Sequence, residues 1–111
     1  MLTCGQNLKV ISYLKKRIAK SFLDLMILSE LRNGALSSYD VMLRLHKKHG
    51  LFLSPGTLYS TMYSLERKDL VESVLSQRKR TYLITRKGKI TVETILDEQL
   101  MTELITELLK T

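Results

Sequence analysis

Hydrogen-bonding side chains collect on one face of a helix that is predicted to start at Ser54. Ser54 is a favoured N-cap, and Pro55 stands at the first helical position, where a missing N–H costs nothing. At about 100° per residue the apolar side chains gather on one side, the predicted buried side: Leu58, Met62 and Leu65. The other side and its flanks carry Gly56, Thr57, Ser60, Tyr63, Ser64 and Arg67. Short hydroxyls, a tyrosine and an arginine suit a helix in a DNA major groove, where base edges offer donors and acceptors. The alternative is an ordinary solvated helix face.

A second polar cluster lies between two runs of β-branched and apolar residues, 70–75 and 80–84, which predict a β-hairpin. The cluster and its edge contain Gln77, Arg78, Lys79 and Arg80. Three consecutive cations would repel one another on a hairpin without a binding role, but at a hairpin tip they can neutralise phosphates or enter a minor groove. The alternative is a solvated turn.

Capping signals define the elements that must position these clusters. A first helix is predicted from Gln6 to about Lys20, and Ser21 with Asp24 resembles a capping box for the next helix. Ser37 with Asp40 repeats that signal and opens a helix that ends at Gly50. This helix, a short link and the Ser54 helix make a helix-turn-helix arrangement, which the hairpin then follows.

The sequence resembles the PadR family of winged-helix transcriptional regulators over residues 25–88. Three blocks carry the resemblance: Leu25–Leu28 followed by Ser38–Val41, then Ser54–Tyr59 with Leu65-Glu66 and Leu70–Glu72, and finally Arg78–Gly88. The chain departs from the family pattern at Ser38 and Asp69, where glycine is usual, and at Ser60, where proline is usual. Its hairpin also lacks the family's usual glycine and proline.

The resemblance implies a mainly α fold with a small β-hairpin: a winged helix-turn-helix with an N-terminal helix and a long C-terminal dimerisation helix. It implies DNA binding without catalysis, and phosphate contacts for Tyr39 and Tyr59. The position of Ser54 suggests the same contact for this residue. Some PadR-like proteins bind small aromatic or cationic effectors between subunits, but this sequence names no effector.

Length and composition favour one continuous domain of 111 residues, with residues 1–88 as its DNA-binding part and 89–111 as its dimerisation helix. No apolar run approaches the roughly 20 residues of a membrane span. The single cysteine, Cys4, cannot form an intramolecular disulfide and fits a reducing compartment, so we expect a cytoplasmic protein. Whether Cys4 has a redox role is left open.

Charge divides the chain into two parts. Residues 1–90 hold 17 Lys and Arg against six Asp and Glu, whereas residues 91–111 hold one lysine against five acidic residues. A basic body suits a polyanion, and an acidic tail with apolar residues suits a protein partner.

The tail is predicted to be one helix that Thr85 caps and that reaches Leu109. Its apolar stripe drifts around the axis, so that one surface cannot cover all of it. We therefore expect the early part to pack on its own domain and the later part on another subunit. The alternative is one broad contact within the chain. The predicted dimer interface comprises Leu8, Ile11, Ile18, Leu100, Met101, Leu104, Ile105 and Leu108.

The sequence offers little that supports an enzyme. His46 and His49 could form half a metal site, but no neighbouring cysteine or carboxylate completes it. No glycine-rich phosphate loop or catalytic triad pattern is recognisable. We predict no catalytic residue, no metal and no cofactor.

These patterns predict a homodimer that binds double-stranded DNA of defined sequence, most simply a repressor at an inverted repeat with half-sites about 10 base pairs apart. One alternative is a winged-helix module that binds a protein partner. Another is a protein that coats nucleic acid without sequence preference.

Overall fold

The computed structural model describes the backbone of residues 4–110 and the side chains of residues 8–15, 17 and 22–110. Within this part the chain forms six helices and three short strands. In chain order they are α1 (Cys4–Ser21), α2 (Leu23–Leu31), β1 (Leu36–Ser37), α3 (Ser38–His49), α4 (Pro55–Arg67), β2 (Val71–Ser76), β3 (Lys79–Ile84), α5 (Arg86–Ile95) and α6 (Glu98–Leu109). None of the helices in the described part has the length and apolar character needed to cross a membrane.

One hydrophobic core joins α2, α3, α4, α5 and the base of the sheet. Its fully or nearly fully buried members are Ile27, Leu28, Leu31, Val41, Leu45, Leu58, Met62, Leu65, Val71, Tyr82 and Val92. The predicted buried side of the Ser54 helix is confirmed, because Leu58, Met62 and Leu65 all belong to this core. The opposite face of α4 is left at the surface.

The starts of α3, α4 and α5 follow the predicted capping signals, whereas the start of α2 does not. Ser37 Oγ accepts from the Asp40 N–H at 3.1 Å while Asp40 Oδ2 accepts from the Ser37 N–H at 3.2 Å, which completes the predicted capping box of α3. The capping box predicted for α2 is wrong. Phe22 occupies the N-cap position of α2 without a side-chain hydrogen bond, and Asp24 accepts from the N–H of Leu25 instead.

The antiparallel sheet has the strand order β1-β3-β2. The predicted hairpin is confirmed, with pairing from Val71 opposite Ile84 to Ser76 opposite Lys79. Its turn is the two residues Gln77 and Arg78, both with positive φ, as a type I′ hairpin turn requires. Strand β1 was not predicted, because two residues are too few to show a periodic pattern.

The prediction of a single C-terminal helix from Thr85 to Leu109 is wrong, because two separate helices occupy this segment. Helix α5 ends at Ile95, and α6 begins after Asp97, which has extended backbone and accepts from the Leu100 N–H at 3.1 Å. An aspartate at an N-cap stabilises the start of a new helix, so the chain turns at Asp97 and α5 does not continue into α6. The drift of the apolar stripe therefore belongs to two separate helices.

Candidate nucleic-acid interface

The exposed face of α4 has the polar character predicted from the sequence. Tyr59, Ser60, Tyr63 and Arg67 are exposed and Ser64 is half-buried. The guanidinium carbon of Arg67 lies 5.8 Å from the ring centroid of Tyr63, which is within the range of a cation–π contact. This contact holds the arginine along the exposed face.

The first turn of α4 satisfies several of its own polar groups. Ser54 Oγ accepts from the Thr57 N–H at 3.1 Å and donates to Thr57 Oγ1 at 2.9 Å. Thr61 Oγ1 donates to the Thr57 carbonyl at 2.8 Å. Since each hydroxyl has one donor hydrogen, Ser54 has already used its own, whereas Thr57 keeps one for an outside acceptor. Both residues are exposed.

The wing, residues 71–84, ends in a cationic tip beside α4. Gln77, Arg78 and Lys79 are exposed around the two-residue turn. Arg80 is also exposed, but its guanidinium donates to Ser73 Oγ at 2.9 Å, and Ser73 Oγ donates to Glu66 Oε2 at 3.3 Å. The side chains of the three consecutive cations therefore do not have equivalent surroundings.

An open cleft lies between the start of α3, helix α4 and the wing. It is lined by Ser37, Ser38, Tyr39, Asp40, Tyr59, Arg78, Lys79, Arg80 and Tyr82. Tyr39 and Tyr59, which were predicted from separate parts of the sequence, thus meet the wing cations around one concavity. The structure also adds Ser38 and Asp40, which sequence reasoning had treated only as a family departure and a cap.

Asp40 is the acidic group of this cleft. Hydrogen bonds from Ser37 hold the pKa of its carboxyl below the usual value, and the positive charges of Lys79 and Arg44 lower that pKa further. The carboxylate is therefore ionised and partly offset by Lys79, although a polyanion approaching the cleft would still meet its negative charge.

A second polar contact joins α2 to α3. Glu30 is only 5% exposed, and its two carboxylate oxygens accept from Lys48 Nζ at 3.0 and 3.1 Å, with an Arg44 nitrogen 3.8 Å away. Neither cation belongs to the polar face of α4. Sequence reasoning missed this contact because Glu30 and its cationic partners lie on different helices, and no local pattern connects them.

The predicted dimer residues lie in α1 and α6. Leu8 and Ile11 are exposed on α1, while the side chain of Ile18 lies outside the described residues. Helix α6 has no buried residue: Leu100 and Met101 are half-buried, and Leu104, Ile105 and Leu108 are exposed. Within the described part of the chain, the exposed members of this set are therefore only partly covered.

The two histidines show no arrangement for metal binding. The ring of His46 lies against that of Phe52, with a centroid separation of 4.4 Å. Among the residues that the structure describes, no group of three or more His, Cys, Asp and Glu side chains comes together as a metal site would require.

Helices α3 and α4, joined by a short link and followed by a basic hairpin, define a winged helix-turn-helix domain. Residues 27–94 match the sequence model of the transcriptional regulator PadR-like family, and the chain belongs to that family. Its members are transcriptional regulators, so the chain is a DNA-binding regulator and not an enzyme.

Solved structures with the same fold support the architecture. A transcriptional regulator from Clostridium thermocellum is 22% identical, with a TM-score of 0.70 over 86% of this chain and 96% of its own. A PadR-like transcriptional regulator from Bacillus cereus is 22% identical, with a TM-score of 0.69 over 86% and 98%. A PadR family regulator from Clostridium difficile is 23% identical, with a TM-score of 0.65 over 79% and 98%. Comparison with curated proteins gives no match.

Proposed function

We propose that this protein is a homodimeric repressor that binds an inverted repeat in double-stranded DNA. The observation that carries this proposal is the cleft in which Tyr39 and Tyr59 meet the wing cations beside the polar face of α4. One surface thus offers base-reading groups and phosphate-binding groups together. The whole chain has a net charge of +7, and its positive charge is concentrated in residues 1–90, which adds long-range attraction for a polyanion.

Helix α4 would lie in the major groove. The side chains nearest the bases would be those of Thr57, Ser60, Ser64 and Arg67, with Tyr63 supporting the arginine. Thr57 keeps a donor hydrogen, and an arginine can bind the two acceptors of a guanine edge at once.

Phosphates would be contacted on either side of that groove. Tyr39 and Tyr59 offer exposed hydroxyls, and Ser54 lies at the helix N-terminus, where the helix dipole favours an anion. On the wing we assign this role to Gln77, Arg78 and Lys79. The Arg80 guanidinium instead donates to Ser73 Oγ, so we do not count Arg80 among the phosphate contacts.

Dimerisation would use the uncovered apolar surfaces of α1 and α6. In the described part of the chain α5 is the main packing partner of α6, and residues Leu104, Ile105 and Leu108 remain exposed. A two-fold axis through paired α6 helices would present two copies of α4 to successive major grooves, about 10 base pairs apart. Such a dimer, acting in the cytoplasm, would repress by covering a promoter.

Selection of bound fragments from random duplex DNA at moderate salt tests this function. The expected result is an enriched inverted repeat whose half-sites lie about one helical turn apart. Retention of all sequences equally would favour a coating protein, and no DNA retention would favour a protein-binding module. Placing the enriched site at the start of a reporter gene then tests repression, since reporter output should fall when the protein is present.

A further inference from the structure

A hydrogen-bonded bridge connects the recognition helix to the wing. Glu66 lies in the last turn of α4, Ser73 on β2 and Arg80 on β3. Ser73 Oγ donates to Glu66 Oε2 at 3.3 Å and accepts from the Arg80 guanidinium at 2.9 Å. A serine hydroxyl has one donor hydrogen and two acceptor lone pairs, so it can serve both neighbours at once. We refer to these three residues as the wing bridge.

Strand alternation explains why Arg80 differs from its neighbour Lys79. Ser73 pairs with Tyr82, so Ser73, Tyr82 and Arg80 lie on the face of the hairpin that is directed to the core. Lys79 is one residue away on β3 and lies on the opposite face. Arg80 therefore points toward the negative charge of Glu66 on α4, whereas the positive charge of Lys79 acts on Asp40 and lowers the pKa of its carboxyl.

The bridge acts at the point where the wing could otherwise pivot. The base of the hairpin is held by the buried side chains of Val71 and Tyr82, but the residues from Val74 to Arg80 are all exposed. A bond from β3 through β2 to α4 restricts rotation of this outer part relative to the recognition helix. Contacts that must form together on one rigid duplex depend on that angle.

We propose, on the basis of the proposed function, that Arg80 is a positioning residue. Through Ser73 and Glu66 it sets the angle between the wing and the recognition helix, and it does not bind a phosphate. Specific binding, in which α4 and the wing must both fit, would depend on the bridge. Non-specific binding, in which the protein has no fixed register, would depend on it much less.

The test is a double-mutant cycle with Arg80→Ala, Ser73→Ala and the two combined. Affinity is measured for a selected duplex and for a mixed-sequence duplex of equal length, over a series of salt concentrations. Lys79→Ala is the matched control, because it removes a neighbouring wing cation that lies outside the bridge. Ser73→Thr keeps the hydroxyl and tests rescue. Glu66→Ala breaks the bridge from the helix and replaces Ser73→Ala if that variant does not fold.

For a positioning role, Arg80→Ala and Ser73→Ala should each weaken binding to the selected duplex roughly three- to tenfold, the range of one net hydrogen bond. The double variant should be no weaker than either single one, because both remove the same link. Ser73→Thr should restore affinity. The slope of log affinity against log salt should stay unchanged for Arg80→Ala and become shallower by about 0.9 for Lys79→Ala.

A shallower slope for Arg80→Ala, combined with normal binding by Ser73→Ala, would overturn the inference and make Arg80 a phosphate contact. Additive losses in the double variant would overturn it as well. Failure of the unmodified protein to bind any duplex would instead contradict the proposed function itself, and the inference with it.

Discussion

Charged residues on the apolar face of α6 should separate the proposed dimer. Leu104 and Leu108 are 45% and 77% exposed in the single chain, so each still has surface to bury against a partner. Since part of Leu104 is already covered, the low end of the range for a leucine, about 1.5 kcal/mol, is appropriate. Two leucines in each of two subunits then contribute about 6 kcal/mol, or roughly four orders of magnitude in the dimer dissociation constant. Leu104→Glu with Leu108→Glu removes this contribution and adds the cost of burying carboxylates.

The assay is sedimentation over a range of protein concentrations, followed by titration with a selected operator duplex. Thr102→Glu with Thr106→Glu is the matched control, because it adds the same charge at the same spacing on the polar side of α6. The leucine variant should be a folded monomer that loses specific binding, while the threonine variant stays dimeric and binds. An unmodified chain that sediments as a monomer at micromolar concentration would refute the dimer. A monomeric variant with normal specific binding would refute its coupling to DNA recognition.

Three further changes test the interface and its support. Arg78→Ala with Lys79→Ala should make the salt slope of DNA affinity shallower by about 1.8, since each phosphate contact contributes about 0.9; an unchanged slope would mean that the wing tip does not touch the backbone. Arg67→Ala should cost the selected duplex roughly 1–3 kcal/mol and the mixed-sequence duplex much less, so equal losses on both in a binding titration would remove α4 as the reading helix. Lys48→Met should lower the free energy of unfolding by about 1–3 kcal/mol in urea titration at fixed protein concentration, because Glu30 stays buried. Lys48 is half exposed and Arg44 remains nearby, which argues against a larger loss, and unchanged stability would show that Arg44 alone compensates.

Local signals in the sequence were sufficient for the central elements. Ser37 with Asp40, and Ser54 with Pro55, predicted the starts of α3 and α4 because capping depends on residues within one turn. The apolar spacing in α4 predicted its buried side because a helix turns by a constant angle. Thr85 was likewise identified as the cap of α5, where its Oγ1 accepts from the Gly88 N–H at 3.0 Å.

Features that depend on distant parts of the chain were not predictable in the same way. Strand β1 exists because Leu36 pairs with Tyr82, which is far along the chain. The wing bridge likewise needs Glu66 and Arg80 to meet at Ser73, and no spacing rule connects these positions. Asp97 falls inside the single helix that the sequence predicted from Thr85 to Leu109, although a carboxylate followed by a helix-forming segment also matches an N-cap.

The break at Asp97 changes how the two parts of the proposed function are connected. Helix α5 is fastened to the winged domain at its start: Thr85 Oγ1 donates to the Asp69 carbonyl at 2.7 Å, and a side chain in place of Gly88 would collide with the Leu70 carbonyl. Helix α6 is joined to α5 by the turn at Asp97, and α5 is its main packing partner in the described structure. In the proposed dimer, the position of each recognition helix therefore depends on the angle of that turn and not on the length of one straight helix. In that dimer the spacing between half-sites should reflect this angle, so Asp97, which caps α6, would contribute to operator recognition along with the residues that face the bases.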